Sequence, residues 1–106
     1  MKNGIVIESI DQLNEIIDRE ELSILFFDTK TWGVGKAIFP KLMDLAKEYK
    51  RDVLIIDIDE QLLVKGQYLV FAAPTLLIMR GKKEILRESK FIDLKNIDRI
   101  LELALN

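Results

Sequence analysis

The 106-residue chain contains no cysteine and no histidine. Without cysteine there is no disulfide, thiol nucleophile, dithiol redox exchange or thiolate metal site. Without histidine the usual general base and the commonest metal ligand are both missing, and with them the side chain that titrates near pH 7. Carboxylates, lysine, tyrosine, serine and threonine are what remains for catalysis. A metal held by oxygen ligands needs clustered carboxylates. Asp57, Asp59 and Glu60 form a dense acidic cluster, and their expected role is to end a strand and cap the next helix. No metal and no cofactor are expected.

Other scarcities narrow the class further. Three Ser, three Thr, four Asn, five Gly and two Pro leave little material for loops and none for low-complexity segments. Neither sign of charge dominates: 16 Lys+Arg stand against 18 Asp+Glu, for a net charge of −2. The charges are interspersed, with no basic footprint, so no nucleic-acid partner is expected. The opening MKNGIVIESI turns acidic at once and lacks a long apolar segment with a small-residue cleavage site. The longest apolar runs, such as 70–79, are too short to span a bilayer. The expectation is a single domain over 1–106, cytoplasmic, with no membrane partner.

What is present alternates between two periods. Ile5 to Ile7 is a β-branched run fit for an edge strand, and Leu13, Ile16 and Ile17 have the spacing of a short amphipathic helix. Leu22 to Phe27 is apolar on both faces, the pattern of a strand covered from both sides. Asp28 to Gly35 reads as a loop. Ile38, Leu42, Leu45 and Tyr49 then line a helix over 36–49, with Pro40 inside it. Val53 to Ile58 is a second buried strand, and 60–68 a short helix. Thr75–Met79 and Glu84–Ser89 flank a turn at 80–83, as in a β-hairpin. Asp93 caps a last helix with Leu94, Ile97, Ile100, Leu101, Ala104 and Leu105 on its apolar face. The order β, α, β, α, β, α, β, β, α predicts an α/β three-layer sandwich. Its central sheet is mixed, with helices on both faces, and a hairpin plus helix closes the chain.

This order, together with three local features, resembles the thioredoxin family over nearly the whole chain. The features are the strand Ile24-Leu25-Phe26-Phe27 running into a loop and a Pro40-bearing helix, the segment Ala73-Pro74-Thr75, and the strand and turn from Leu76 to Lys82. The resemblance implies a cis peptide bond before Pro74 and a backbone at Ala73 that pairs with an extended peptide. It also implies a Cys-x-x-Cys motif at the start of the proline-bearing helix. Counted back from Pro40 without gaps, those cysteine positions fall on Trp32 and Gly35; a second register, with one gap, puts them on Gly33 and Lys36. In both the thiols are gone, so dithiol oxidoreductase chemistry is not open to this chain alone. The family's buried acid has no counterpart in the ungapped register, where Phe26 stands.

The positions Trp32, Gly33, Val34, Gly35 and Lys36 are therefore a vestigial active site. Trp32 reads equally as an anchor for a partner or as a plug over the emptied groove. Trp32, Ala73, Pro74 and Thr75 are the candidate peptide-binding residues, and an unidentified protein or peptide is the expected partner. The leading function is a redox-inactive, cysteine-less binding module. The alternative implied by the family is a role in thiol–disulfide homeostasis. A third is small-anion binding by the glycine loop from Gly33 to Lys36, which lacks the hydroxyl of a nucleotide loop because Ala37 follows the lysine. If Trp32, Val34, Phe71 and Ala72 converge, rimmed by Lys36 and Asp28 to Lys30, two copies could associate through that face.

Overall fold

Ser9 stops the chain in an extended conformation, and its side chain accepts a hydrogen bond from the Gln12 N–H. It thereby satisfies one of the free donors of helix α1, Ile10–Arg19. Ahead of it runs strand β1, Gly4–Val6. After it come β2 (Leu22–Asp28), α2 (Val34–Glu48), β3 (Val53–Asp57), α3 (Leu62–Gln67), β4 (Thr75–Arg80), β5 (Lys83–Ser89) and α4 (Leu94–Leu105). The computed structural model describes residues 3–30 and 34–106. Trp32 and Gly33 lie outside the described residues.

The five strands form one sheet in the order β1-β3-β2-β4-β5. β3 pairs parallel with both β1 and β2, whereas β4 runs antiparallel to β2 and β5. The chain passes from β1 to β2 through α1 on one face and returns from β2 to β3 through α2 on the other. Side-chain alternation sorts the core accordingly. Leu25 and Phe27 meet Leu13, Ile16 and Ile17 of α1 and Val64 of α3. Leu22, Ile24 and Phe26 meet Leu42, Leu45 and Ala46 of α2 with Ile97 and Leu101 of α4. Six consecutive residues of β2, 22–27, are buried. Truncating one of the large ones to alanine costs roughly 2–5 kcal/mol.

The expected order of elements and the mixed sheet are what the structure has. The differences are local. Asp28 is the last residue of β2 rather than the first of a loop, and α2 begins at Val34, not Lys36. The acidic cluster does not cap α3: Gln61 stands at that cap and its side chain makes no capping bond. Asp57 instead ends β3, its Oδ1 accepting the Asp59 N–H at 2.8 Å. Asp93 does cap α4, accepting from the Lys95 and Asn96 N–H groups. No helix among the described residues is long and apolar enough to cross a membrane.

Candidate functional site

β2 and β3 deliver two carboxylates side by side, because Asp28 and Asp57 are register partners at the last step of the parallel ladder. α2 then brings Gly35 against Asp28. A Cβ built on Gly35 would lie 1.7 Å from Asp28 Oδ2 and 2.4 Å from its Cγ. Position 35 is glycine because the Asp28 carboxylate occupies the volume a side chain would need. Asp28 is half-buried, and its Oδ1 is buried with no hydrogen-bond partner among the described residues. Burial pushes its carboxyl above the usual carboxylate range and the Asp57 charge adds to this, against the opposing pull of the Thr29 N–H and Lys36. Sequence reasoning placed Asp28 on a charged rim, so this buried acid was missed. The only local signal was a glycine in the first turn of a helix.

Lys30 lies across the outer side of the pair. Its Nζ is 3.1 Å from Glu60 Oε1 and 3.9 Å from Asp57 Oδ2. The Glu60 hydrogen bond chiefly holds its pKa above the usual lysine value. Between these charges and the sheet opens a cavity of about 350 Å³. Val6, Phe26, Phe39, Pro40 and Ile55 supply its apolar wall, with Asp28, Asp57, Lys30, Lys36 and Glu60 around them. Among the described residues, no group of three or more carboxylates is arranged to hold a metal ion.

The second feature is the segment before β4. The Ala73–Pro74 peptide bond is cis. It is tied down from two sides. The Lys90 N–H donates to the Pro74 carbonyl at 2.7 Å, and the Thr75 hydroxyl donates to the Ala72 carbonyl at 2.6 Å. Thr75 departs from its expected role as a peptide contact: its side chain is fully buried and its hydroxyl is committed inside the fold. Ala73 and Pro74, with Asp28, Thr29, Ile58, Phe71 and Ala72, line a groove of about 290 Å³. Phe71 is 77% exposed, and Phe91, next to Lys90, is 88% exposed. Nothing in the sequence marks Phe91, since one aromatic after a strand carries no periodic signal. The structure brings Phe71 and Ala72 together with Asp28 and Thr29, while Lys36 is exposed on the first turn of α2.

The thioredoxin family model matches residues 5–103 of this chain. The chain belongs to the thioredoxin family. The thioredoxin of Staphylococcus aureus is 32% identical over 75 residues, covering 68% of this chain and 72% of that one. Thioredoxin 1 of Thermosipho africanus is 30% identical, with a TM-score of 0.72 over 78% of this chain and 93% of its own. A mutant thioredoxin from Halobacterium salinarum shares the fold with a TM-score of 0.89 at 17% identity, covering all of this chain and 96% of its own.

Proposed function

We propose that this thioredoxin-family chain has exchanged dithiol chemistry for recognition. It binds an extended segment of a protein partner along the face made by Ala73, Pro74 and Phe71, to which Trp32 belongs by sequence position. One observation carries the reading: the space of a side chain at position 35 is filled by the Asp28 carboxylate. A site that had merely lost a thiol would keep room for it, whereas this one is rebuilt around an acid. The exposed ring of Phe71, beside a backbone held in place at Ala72 and Pro74, supports a binding role for the same face. An anion at the start of α2 would meet the Asp28 charge, which weighs against the glycine-loop reading.

The test is a displayed library of extended peptides selected on the wild-type protein, with affinities then measured against Phe71→Asp. A selected peptide that loses at least about tenfold in affinity supports the reading. Failure to select any peptide, or indifference to the substitution, overturns it. A partner that is a second copy would show as concentration-dependent sedimentation of the wild type alone. Family membership favours a second reading, service in thiol–disulfide homeostasis. Insulin reduction with a dithiol donor separates the two: turnover above the uncatalysed rate sinks the first.

A further inference from the structure

Of the chain's asparagines, only Asn3 precedes a glycine. That pairing is chemically labile. Glycine carries no Cβ to shield its backbone nitrogen, and it turns through conformations closed to other residues. In a free chain the Gly4 nitrogen can therefore reach the side-chain carbonyl carbon of Asn3.

The fold makes use of both residues. Asn3 Nδ2 donates to the Met43 carbonyl of α2 at 2.8 Å and to the Arg51 carbonyl at 3.4 Å, which ties the start of β1 to two later segments. A Cβ on Gly4 would lie 3.0 Å from Met43 Cε and 3.1 Å from Ile55 Cδ1, closer than ordinary contact. The same surroundings keep the pair from reacting. The side-chain amide is pinned by its bond to Met43. The peptide plane that carries the Gly4 nitrogen is pinned by the Val53 N–H, which donates to the Asn3 carbonyl at 2.7 Å. Gly4 is itself in register with Val53 on the β1–β3 ladder. Bringing the nitrogen onto Asn3 Cγ turns the peptide plane and the side chain together, and both bonds break.

We propose that Asn3 is a modification site whose deamidation is gated by detachment of β1 from β3. Once the strand opens, the Gly4 nitrogen gives its proton to a solvent base and attacks Asn3 Cγ. The new N–Cγ bond closes a five-membered imide as the Cγ–Nδ2 bond breaks, and the side-chain nitrogen leaves as ammonia. Water then adds to either ring carbonyl. Opening at the Cγ–N bond leaves aspartate; opening at the original peptide bond leaves isoaspartate, with Cβ added to the main chain. Water enters, ammonia leaves and nothing is oxidised. Either product undoes the anchor. A carboxylate oxygen replaces the donor and faces the Met43 and Arg51 carbonyls, and isoaspartate also displaces the acceptor of the Val53 N–H. The modified strand is held more weakly than the intact one, so a transient opening is converted into a lasting one.

The test incubates the wild-type chain in warm, mildly alkaline buffer, either folded or in denaturing urea. Peptide mass spectrometry follows the exchange of amide for acid at residue 3, and an isoaspartyl methyltransferase labels the second product. In urea Asn3 should react ahead of Asn14, Asn96 and Asn106, and at least about tenfold faster than in the folded chain. Ile5 packs against the core from β1, so Ile5→Ala should speed the reaction in the folded chain by about fivefold or more, in step with faster amide exchange at Val53. Asn3→Asp, one of the products, should lower Tm by about 4–8 °C. Equal rates in the folded chain and in urea, no preference for Asn3 in urea, or an Asn3 rate that ignores faster exchange at Val53 overturns the proposal. An Asn3→Asp protein as stable as wild type overturns it too. Should Ile5→Ala fail to fold, the wild-type rates and Val53 exchange, followed together through low urea, decide.

Discussion

Replacing Gly35 by alanine puts a methyl carbon 1.7 Å from Asp28 Oδ2, where ordinary contact needs about twice that distance. The carboxylate cannot yield by a few tenths of an ångström. It must swing away on a side chain of only two torsions, at the end of a strand whose neighbours are buried. Overpacking of this kind costs roughly 1–3 kcal/mol. Removing a helical glycine returns at most roughly 0.5–1 kcal/mol, less in a first turn. The net expectation for Gly35→Ala is a loss of about 1–2 kcal/mol, worth about 4–8 °C in Tm per kcal/mol. In an Asp28→Ala background the obstruction is gone, so the same substitution should stabilise by up to about 1 kcal/mol. Urea denaturation of the four proteins in a double-mutant cycle reads the coupling directly, about 1–3 kcal/mol. A Gly35→Ala effect of the same sign and size in both backgrounds would refute the claim that Asp28 dictates this glycine.

Three further outcomes are expected. Asp28 has its carboxyl raised by burial, so the folded state holds the proton more tightly and stability falls as pH rises from the unfolded value near 3.8 through the higher folded one. Asp28→Asn should therefore be the more stable protein at pH 7, with the gap closing as pH falls through the raised folded value and essentially closed by the unfolded value near 3.8; a gap independent of pH contradicts this. Tyr49 donates to the Asp98 carboxylate, which pushes its phenol up to about 12. That contribution is present below pH 10 and lost as pH rises through about 12. Urea midpoints of wild type and Tyr49→Phe should converge over that range, and parallel curves would dismiss the bond. The Arg87 guanidinium donates to the Tyr68 and Leu69 carbonyls at 2.6 and 3.1 Å. Arg87→Ala should cost about 1–3 kcal/mol and speed amide exchange around residues 64–70, whereas unchanged exchange there would place the loss elsewhere.

Most of the fold was legible because its signals are local. The two-sided apolar run at 22–27, the helical stripe through Leu42 and Leu45, the cap at Asp93 and the turn at Gly81 each identify an element within a few residues. The site was less so. Asp28 follows an apolar strand and precedes Thr29 and Lys30, a context that reads as solvent-facing. Its carboxylate packs against Gly35, which the chain reaches only after leaving the strand and entering a helix. The acidic cluster ends its strand as expected, but its capping role failed for a related reason: Asp57 and Glu60 are spent on a turn and on Lys30, partners that no cap pattern contains. Ala73 and Pro74 were placed by resemblance and line the groove, but the burial of Thr75 depends on Ala72 and Ser89, the latter from a different strand.

The position of β2 carries a consequence for how the chain must be assembled. Neither neighbour of β2 adjoins it in sequence: β3 starts at Val53 and β4 at Thr75. Residues 22–27 pair with 75–80 on one side, so that side of the strand has no partner until nearly three quarters of the chain exists. Before then β2 is an apolar ribbon with one row of backbone donors and acceptors open to any passing strand, the arrangement most prone to adding a foreign chain. Fragments ending before Thr75 are thus expected to aggregate rather than to form smaller folded units. The hairpin of β4 and β5 acts as a closing clasp, which shields the strand whose end carries Asp28.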